Sequence, residues 1–257
     1  MPLSPALITA LVFAALFVAI ILVYVSQQME RRKLERQRQK AELVERARRC
    51  ADLNEILPGQ MMSPALKLLM YKLELKLSER LRPLAPENTE LTARIDELVV
   101  QLGKGENVPV NNQPQTINTE NKAKEVRFLL EGLHAVITRA ARENLITTAE
   151  ARHWVDEIRH MMVQLHIDFF TSVGVQLLQQ EKPRQARLAF ERAVQFLRRQ
   201  ADQERYRIQL HELAKLLARA NDLALEREPS EDDTVELVNG LTQEEIDDPW
   251  RKKQVYD

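Results

Sequence analysis

At 257 residues the chain is long enough for one domain of ordinary size with appendages, and two complete, independent cores are not expected. Helix formers such as Leu, Ala, Glu, Arg and Gln dominate, which favours an all-α fold, and the single cysteine, Cys50, excludes an intramolecular disulfide and a cysteine-built zinc site. The net charge of −1 conceals an uneven distribution, because residues 26–50 carry nine basic side chains against four acidic ones, whereas residues 226–257 carry eleven acidic side chains against four basic ones.

The first predicted element is a single membrane-spanning helix, which we place in an anchor at residues 1–26. From Ala6 to Val25, twenty consecutive residues carry no charge. At the rise of an α-helix they cover about 30 Å, the thickness of the hydrocarbon core of a bilayer. A cleavable signal peptide would need a shorter apolar run, a basic start and a small-residue cleavage site. We therefore expect the span to be retained.

Six basic residues follow the span closely, whereas the residues before it carry no charged side chain. They are Arg31, Arg32, Lys33, Arg36, Arg38 and Lys40. The positive-inside rule then predicts an N-out orientation with a cytoplasmic body, beneath the inner membrane if the host is a bacterium. The same bases are candidates for contact with anionic lipid, and a simple solvated helix face is the alternative interpretation.

A charged juxtamembrane helix is predicted at residues 27–57. The segment 27–56 contains neither proline nor glycine, and its apolar residues form a thin stripe on a highly charged surface. The pattern predicts a long exposed helix that Pro58-Gly59 ends. Its heptad pattern is irregular, so a homo-oligomer formed through this helix as a coiled coil is a second hypothesis.

A helical hairpin is predicted at residues 63–102, followed by a linker at residues 103–118. Pro64 marks the start of its first helix, and leucines and a methionine recur at three- and four-residue steps as far as Leu81. Thr89 opens the second amphipathic helix. The linker holds two Gly, two Pro, four Asn and two Gln with almost no apolar spacing, so we place a domain boundary there.

Residues 119–226 are predicted to form an all-helical domain. A helical stripe begins at Val126, and Thr147-Thr148-Ala149-Glu150 has the form of a capping box at the start of the next helix. Pro183 marks a further helix start, and an apolar pattern from Tyr206 to Leu223 predicts one more amphipathic helix.

One segment of this domain, at about residues 167–200, resembles a single tetratricopeptide repeat. The matching residues are Phe170, Val173, Gly174, Leu177, Ala186, Phe190 and Ala193. Phe170 and Leu177 stand where that pattern has Trp and Tyr, and no second copy lies 34 residues away in either direction. The resemblance implies a helical hairpin with Gly174 and Ala186 at its crossing and a surface that binds peptides or helices. A generic packed hairpin is the alternative.

Two other patterns suggest chemistry. Glu150, His153, Glu157 and His160 share one helical face, but the two histidines are about 10 Å apart along the axis, so we expect a solvated face and no metal site. A second pattern of arginines favours nucleic-acid binding, yet intermixed acids are more typical of a salt-bridged helix surface. The arginines are Arg184, Arg187, Arg192, Arg198, Arg199, Arg205 and Arg207.

The acidic composition of residues 227–257 predicts a flexible tail. Its last nine residues, PWRKKQVYD, combine aromatic anchors with bases and are a candidate docking segment, in cis or in trans. The residues proposed for docking are Trp250, Arg251, Lys252, Lys253 and Tyr256.

Together these patterns predict a membrane-anchored cytoplasmic helical adaptor that binds a protein partner. A self-associating structural organiser of the cell envelope or division site is the alternative, and a nucleic-acid-binding membrane protein is a third class. We find no nucleotide-binding, esterase or kinase motif, and we predict no enzymatic activity and no cofactor.

Overall fold

The computed structural model describes residues 5–226, with side chains described at Tyr24 and from Ser26 onward. All seven long elements in this part of the chain are α-helices. They are α1 (Pro5–Ile56), α2 (Pro64–Leu81), α3 (Thr89–Gly103), α4 (Glu120–Arg142), α5 (Thr148–Gln179), α6 (Pro183–Arg198) and α7 (Arg207–Glu226). The predicted all-α class is confirmed. Helices α2, α3 and α6 begin at Pro64, Thr89 and Pro183, as predicted from the sequence.

The chain divides into two compact units. The first contains α1 as far as Glu55 together with Pro64–Pro109, and therefore α2 and α3. The second contains Ile56–Ser63 and the chain from Val110 onward, and therefore α4 to α7. The predicted linker thus contributes residues to both units, and the short segment Ile56–Ser63 belongs with residues that follow it by about fifty positions.

Helix α1 carries the predicted anchor and the charged segment as one continuous helix of 52 residues. The six predicted topology bases are exposed, as is nearly every described side chain before Cys50. Cys50 is the first buried residue among the side chains of α1 that the structure describes. Burial raises the pKa of its thiol to about 12, which keeps the thiol protonated and unreactive at neutral pH.

Helices α2 and α3 form an antiparallel hairpin. The buried face of α2 carries the predicted apolar residues at three- and four-residue steps, from Leu66 to Leu81. Asn88 caps α3 by accepting a hydrogen bond from the Leu91 amide at 3.1 Å. Across the hairpin, Arg94 donates from Nε and Nη2 to the two carboxylate oxygens of buried Glu74, at 2.7 and 3.1 Å. The two hydrogen bonds offset the cost of burying that carboxylate.

The second unit is a row of four helices in which each packs antiparallel on the next. Helices α4 to α7 are joined by connections of five, three and eight residues, which force the chain to turn back each time. Their shared core includes Phe170, Phe190 and Leu213, from three successive helices. Helix α4 begins, α5 ends, α6 begins and α7 ends at the same end of this row. That end is called the α5-exit end below.

Both tight connections of this unit use the same helix-ending geometry. After α4, the Leu145 amide donates to the Ala140 carbonyl at 2.8 Å, around Asn144 with φ of 56°. After α5, the Lys182 amide donates to the Leu177 carbonyl at 2.9 Å. The residue in the left-handed conformation there is Glu181, with φ of 60°, where glycine is usual. At the start of α5, Thr147 accepts from the Glu150 amide at 3.1 Å, which confirms the predicted cap.

The segment Ile56–Ser63 is held to the extended chain before α4 by hydrogen bonds between the two backbones and their amide side chains. The side chain of Gln60 donates to the Gln115 carbonyl at 2.7 Å and accepts from the Gln115 amide at 3.0 Å. The Gly59 amide donates to the Gln113 carbonyl at 3.0 Å. A Cβ at Gly59 would lie 3.0 Å from the Asn112 carbonyl carbon, so this approach requires glycine.

Among the described residues, α5 is the one helix that is long and apolar enough to cross a membrane by length and composition. Membrane association is therefore compatible with the structure. Ile158, Leu165 and Ile167 of α5 are buried within the protein, which is the behaviour of a core helix. The predicted span from Ala6 to Val25 lies in α1, and its side chains other than that of Tyr24 lie outside the described residues. That span stays a prediction.

Candidate functional site

The contact between Gly174 and Phe190 determines how closely α5 and α6 approach. A Cβ at Gly174 would lie 2.6 Å from Cζ and 2.8 Å from Cδ1 of Phe190. Separations this short are forbidden between carbon atoms that are not bonded, so the ring of Phe190 rests directly on the backbone of α5. Phe190 and its neighbour Ala186 are fully buried. The small residues therefore provide the space that the ring fills.

The residues predicted to pack the hairpin gather in one cluster. Six of the seven are buried, namely Phe170, Gly174, Leu177, Ala186, Phe190 and Ala193. Val173 is half-buried at the edge of the same cluster. This arrangement is what a helical hairpin of any family requires, so it leaves the tetratricopeptide resemblance as a prediction.

Beside this cluster, at the α5-exit end, an open groove has a volume of about 350 Å³. Its floor is apolar and consists of Phe169, Phe170, Val173 and Leu177. Gln176 and Gln180 add amide groups from the last turns of α5. Grooves of this size with an apolar floor and a few polar groups are typical of sites for ligands and peptide side chains.

Two opposite charges border the groove. Glu120, in the first turn of α4, pairs with Lys124 one turn further along the same helix. Arg192, on α6, has no ion-pair partner among the residues that the structure describes. A half-buried guanidinium beside an apolar floor is a ready donor to a carboxylate or a carbonyl oxygen.

The groove is built from positions that are far apart in the sequence. Thr119 caps α4 by accepting from the Lys122 amide at 3.3 Å, and this cap places the start of α4 beside the end of α5. Sequence reasoning identified Phe170, Val173 and Leu177 as packing residues, but it missed Glu120 and assigned Arg192 to a different role. In the sequence, antiparallel packing was indicated by the short connections between helices. Such connections do not determine which side chains line a common groove.

A polar contact lies at the opposite end of the same unit. The hydroxyl of Tyr206 lies 3.0 Å from Nδ1 of His160, and the two rings stack with centroids 5.3 Å apart. Next to them, Arg205 donates from Nη2 to Glu157 at 2.9 Å. Burial lowers the pKa of His160 below its ordinary value, and the nearby Arg205 acts in the same direction. These contacts hold the turn before α7 against α5.

The prediction that Glu150, His153, Glu157 and His160 form a solvated face of α5 is therefore partly wrong. The chain before α7 covers Glu157 and His160, because α7 folds back along α6 and brings Arg205 and Tyr206 to them. His153 is exposed. Within residues 24–226, no group of three or more His, Cys, Asp or Glu side chains has an arrangement that could hold a metal ion.

His166, one turn before Phe170, is the second histidine with a shifted pKa. Its Nδ1 donates to the Met162 carbonyl at 3.0 Å, and its ring stacks on Phe196 with centroids 4.6 Å apart. Burial lowers its pKa. The ring therefore acts as a neutral aromatic group that packs α6 on α5.

The described lining of the groove includes no residue from the two other groups of predicted site residues. The six bases of α1 belong to the first unit, and the proposed docking residues Trp250, Arg251, Lys252, Lys253 and Tyr256 lie outside the described residues. Of the arginines considered for nucleic-acid binding, Arg205 is paired with Glu157 and Arg192 borders the groove. Nucleic-acid binding stays an untested alternative.

The fold and the groove define an all-helical protein with a candidate interaction surface on its second unit. No protein-family model matches the sequence, and neither the curated proteins nor the solved structures that were searched contain a match.

Proposed function

We propose that the chain is a membrane-anchored cytoplasmic helical adaptor, and that the groove between α4, α5 and α6 binds a peptide segment of a protein partner. The observation that carries the proposal is the groove itself. Its apolar floor accepts a large side chain, and its rim of Arg192, Gln176 and Gln180 offers hydrogen bonds to the backbone of a peptide. Aromatic or aliphatic anchors in such pockets supply most of the binding energy of small interfaces.

The N-terminal part of the chain supports the adaptor class. The apolar run from Ala6 to Val25 and the charged segment after it lie in one helix. The exposed stretch at residues 26–49 spans about 36 Å at the standard helical rise. A rod of this length would hold α2 and α3 away from the membrane surface, while the bases at its start favour a cytoplasmic orientation.

The test uses a photo-crosslinking amino acid at Val173 in the anchored full-length chain. Val173 faces the groove, whereas Val175 is exposed on the same helix and does not line it. We expect a crosslink to a second, discrete polypeptide from position 173 and none from position 175. Arg192→Glu should weaken that crosslink, and Arg187→Glu, at an exposed position of α6 outside the groove, should leave it unchanged.

Equal crosslinking from positions 173 and 175, or no crosslink to another polypeptide from position 173 under any growth condition, would contradict the proposed function. Mass spectrometry of the crosslinked product identifies the partner segment. The proposal further requires an apolar or aromatic residue in that segment.

Self-association through α1 is a second candidate, because Met29, Leu34 and Val44 are large apolar residues exposed on that helix. A partner helix would bury them. We expect the full-length chain in lipid nanodiscs to sediment as a dimer or larger species if this candidate is correct, and Leu34→Glu/Val44→Glu to convert it to a monomer. A monomeric wild-type chain at all concentrations would rule the candidate out.

A further inference from the structure

The C-terminal part of the same chain contains a segment whose chemistry suits the groove. This inference rests on the proposed function: we infer that the segment around Trp250 binds in the groove in cis and competes there with the partner. The indole of Trp250 would pack on the floor formed by Phe169, Phe170, Val173 and Leu177. Three independent observations favour this occupant, namely where α7 ends, how much chain follows it, and the order of charges around Trp250.

The first observation is topological. Because the four helices of the second unit alternate in direction, α7 ends at the α5-exit end, where α4 begins and α5 ends. The groove lies at that end, since its lining includes Asn118, Glu120 and Gln180. The residues after Glu226 therefore leave the unit on the side where the groove is located. A tail leaving from the opposite end would first have to pass along the whole length of the helices.

The second observation is the length of the connection. Twenty-four residues lead from Glu226 to Trp250, which is a maximal span of about 80 Å and a coil dimension of about 30 Å. The second unit is built from helices of 16 to 32 residues, so about 25 to 50 Å long. The connection therefore reaches the groove without being fully extended. A tether of this length gives the tail an effective concentration at the groove on the order of 1 mM. If the intrinsic Kd of the tail for the groove is about 100 µM, the tail occupies the groove in about nine of ten molecules.

The third observation is charge order. Asp247 and Asp248 precede Pro249-Trp250, and three bases, Arg251 to Lys253, follow. An indole on the groove floor would thus have carboxylates on one side and bases on the other. The groove has Arg192 on α6 to face the carboxylates and Glu120 on α4, which also pairs with Lys124, to face the bases. Arg192, which lacks an ion pair within residues 24–226, would gain one with Asp247 or Asp248.

The first experiment maps the occupant in the anchored full-length chain. The photoreactive residue p-benzoylphenylalanine replaces Trp250, and mass spectrometry locates the crosslink. We expect crosslinks to the α5 peptide that contains Phe169 to Leu177, and none when the same residue replaces Val235 in the same tail. Mixing isotopically labelled and unlabelled chains distinguishes cis from trans: crosslinks within one isotope class support the inference, and mixed-isotope crosslinks overturn it.

The second experiment measures competition. A fluorescein-labelled peptide of residues 242–257 is titrated with the full-length chain and with Trp250→Ala. We expect the variant to bind the peptide about tenfold more tightly, because its own tail no longer fills the groove. In the Trp250→Ala background, Arg192→Glu should weaken peptide binding, and Arg187→Glu should not. Equal affinities for the wild type and Trp250→Ala, or no binding to either, would overturn the inference.

The two proposals fail separately. A crosslink from Val173 to another protein, without any contact from position 250 to the groove, removes the cis occupant and leaves the adaptor function intact. Conversely, a cis contact from position 250, with no partner captured by position 173 even in the Trp250→Ala chain, removes the adaptor function and leaves the tail contact.

Discussion

The ring of Phe190 occupies the space that a side chain at Gly174 would need. The ring of Phe190 lies directly on the backbone at Gly174, so this contact sets the distance between α5 and α6. Phe170 and Leu177, one turn before and one turn after Gly174 on the same face of α5, pack in the same cluster as Phe190 and also form part of the groove floor. The packing of the hairpin and the shape of the candidate site therefore depend on the same contact.

We expect Gly174→Leu to lower the free energy of unfolding of the second unit by about 3 kcal/mol, because the new side chain forces the two helices apart. Chemical denaturation followed by circular dichroism measures the change. The matched control is Gly103→Leu, at the end of α3, where a Cβ would have nothing within 4 Å. That control should change stability by less than about 1 kcal/mol. Equal losses at both glycines would refute the close crossing.

Partial rescue provides a second check of the same contact. Adding Phe190→Ala to Gly174→Leu should recover part of the lost stability, because the smaller side chain on α6 makes room for the leucine. Phe190→Ala alone should cost about 3 to 5 kcal/mol, as large-to-small changes in a core do. Strictly additive losses in the double variant would mean that the two positions do not share one site.

Glu181→Gly should stabilise the chain by about 1 kcal/mol, because Glu181 adopts the left-handed conformation that glycine accepts without steric strain. Denaturant midpoints at constant slope measure the gain. Asn144→Gly is the comparison, since asparagine tolerates this conformation better than glutamate does. The stability gained by Asn144→Gly should be smaller than that gained by Glu181→Gly. A larger gain for Asn144→Gly would show that the positive φ does not cause the difference.

Arg94→Met should destabilise the first unit by about 3 to 5 kcal/mol, because it leaves the Glu74 carboxylate buried without its cation. Burial already raises the pKa of Glu74, and removing the guanidinium hydrogen bonds, which oppose that shift, raises the pKa further. Glu97→Gln removes the other, exposed partner of Arg94 and should cost less than about 1 kcal/mol. The two variants are compared by thermal denaturation at pH 7, and similar losses would argue against a special role for Glu74.

The stability of the second unit should decrease as the pH falls below about 6.5. Burial lowers the pKa of His160 and His166 in the folded chain below their ordinary value of 6.5. Between the lowered values and 6.5, the unfolded chain binds more protons than the folded chain, so acid favours unfolding there, and the full stability is present above 6.5. Urea midpoints between pH 7.5 and pH 5.5 measure this dependence.

The matched variant for this prediction is His166→Phe, which keeps an aromatic ring against Phe196 and removes the titrating group. It should flatten the pH dependence. Tyr206→Phe, which removes the hydroxyl that contacts His160 but no histidine, should lower stability across the range by about 1 kcal/mol. If the urea midpoint of His166→Phe depends on pH as steeply as that of the wild type, His166 does not contribute to the acid sensitivity.

Local features of the sequence were sufficient to predict the helices of the described chain and several of their ends. Pro64, Pro183 and the Thr147 cap mark helix starts, because the amides of a first helical turn have no partner within the helix. A proline has no such amide, and the Thr147 side chain accepts a hydrogen bond from one. Both effects involve residues within four positions of each other. The close crossing at Gly174 with Phe190 beside it was expected from the resemblance to a tetratricopeptide repeat, whose pattern implies small residues at the crossing and large ones around it.

Only the tertiary structure determined which distant residues share a site. Glu120 and Arg192 border one groove, Gln60 pairs with Gln115, and Tyr206 covers His160, although 46 to 72 residues separate the members of each pair. Periodicity shows which face of a helix is apolar, but the rotation and height of each helix against its neighbours result from side-chain packing across the whole core. A groove formed by three helices therefore depends on that packing and has no local signature in the sequence.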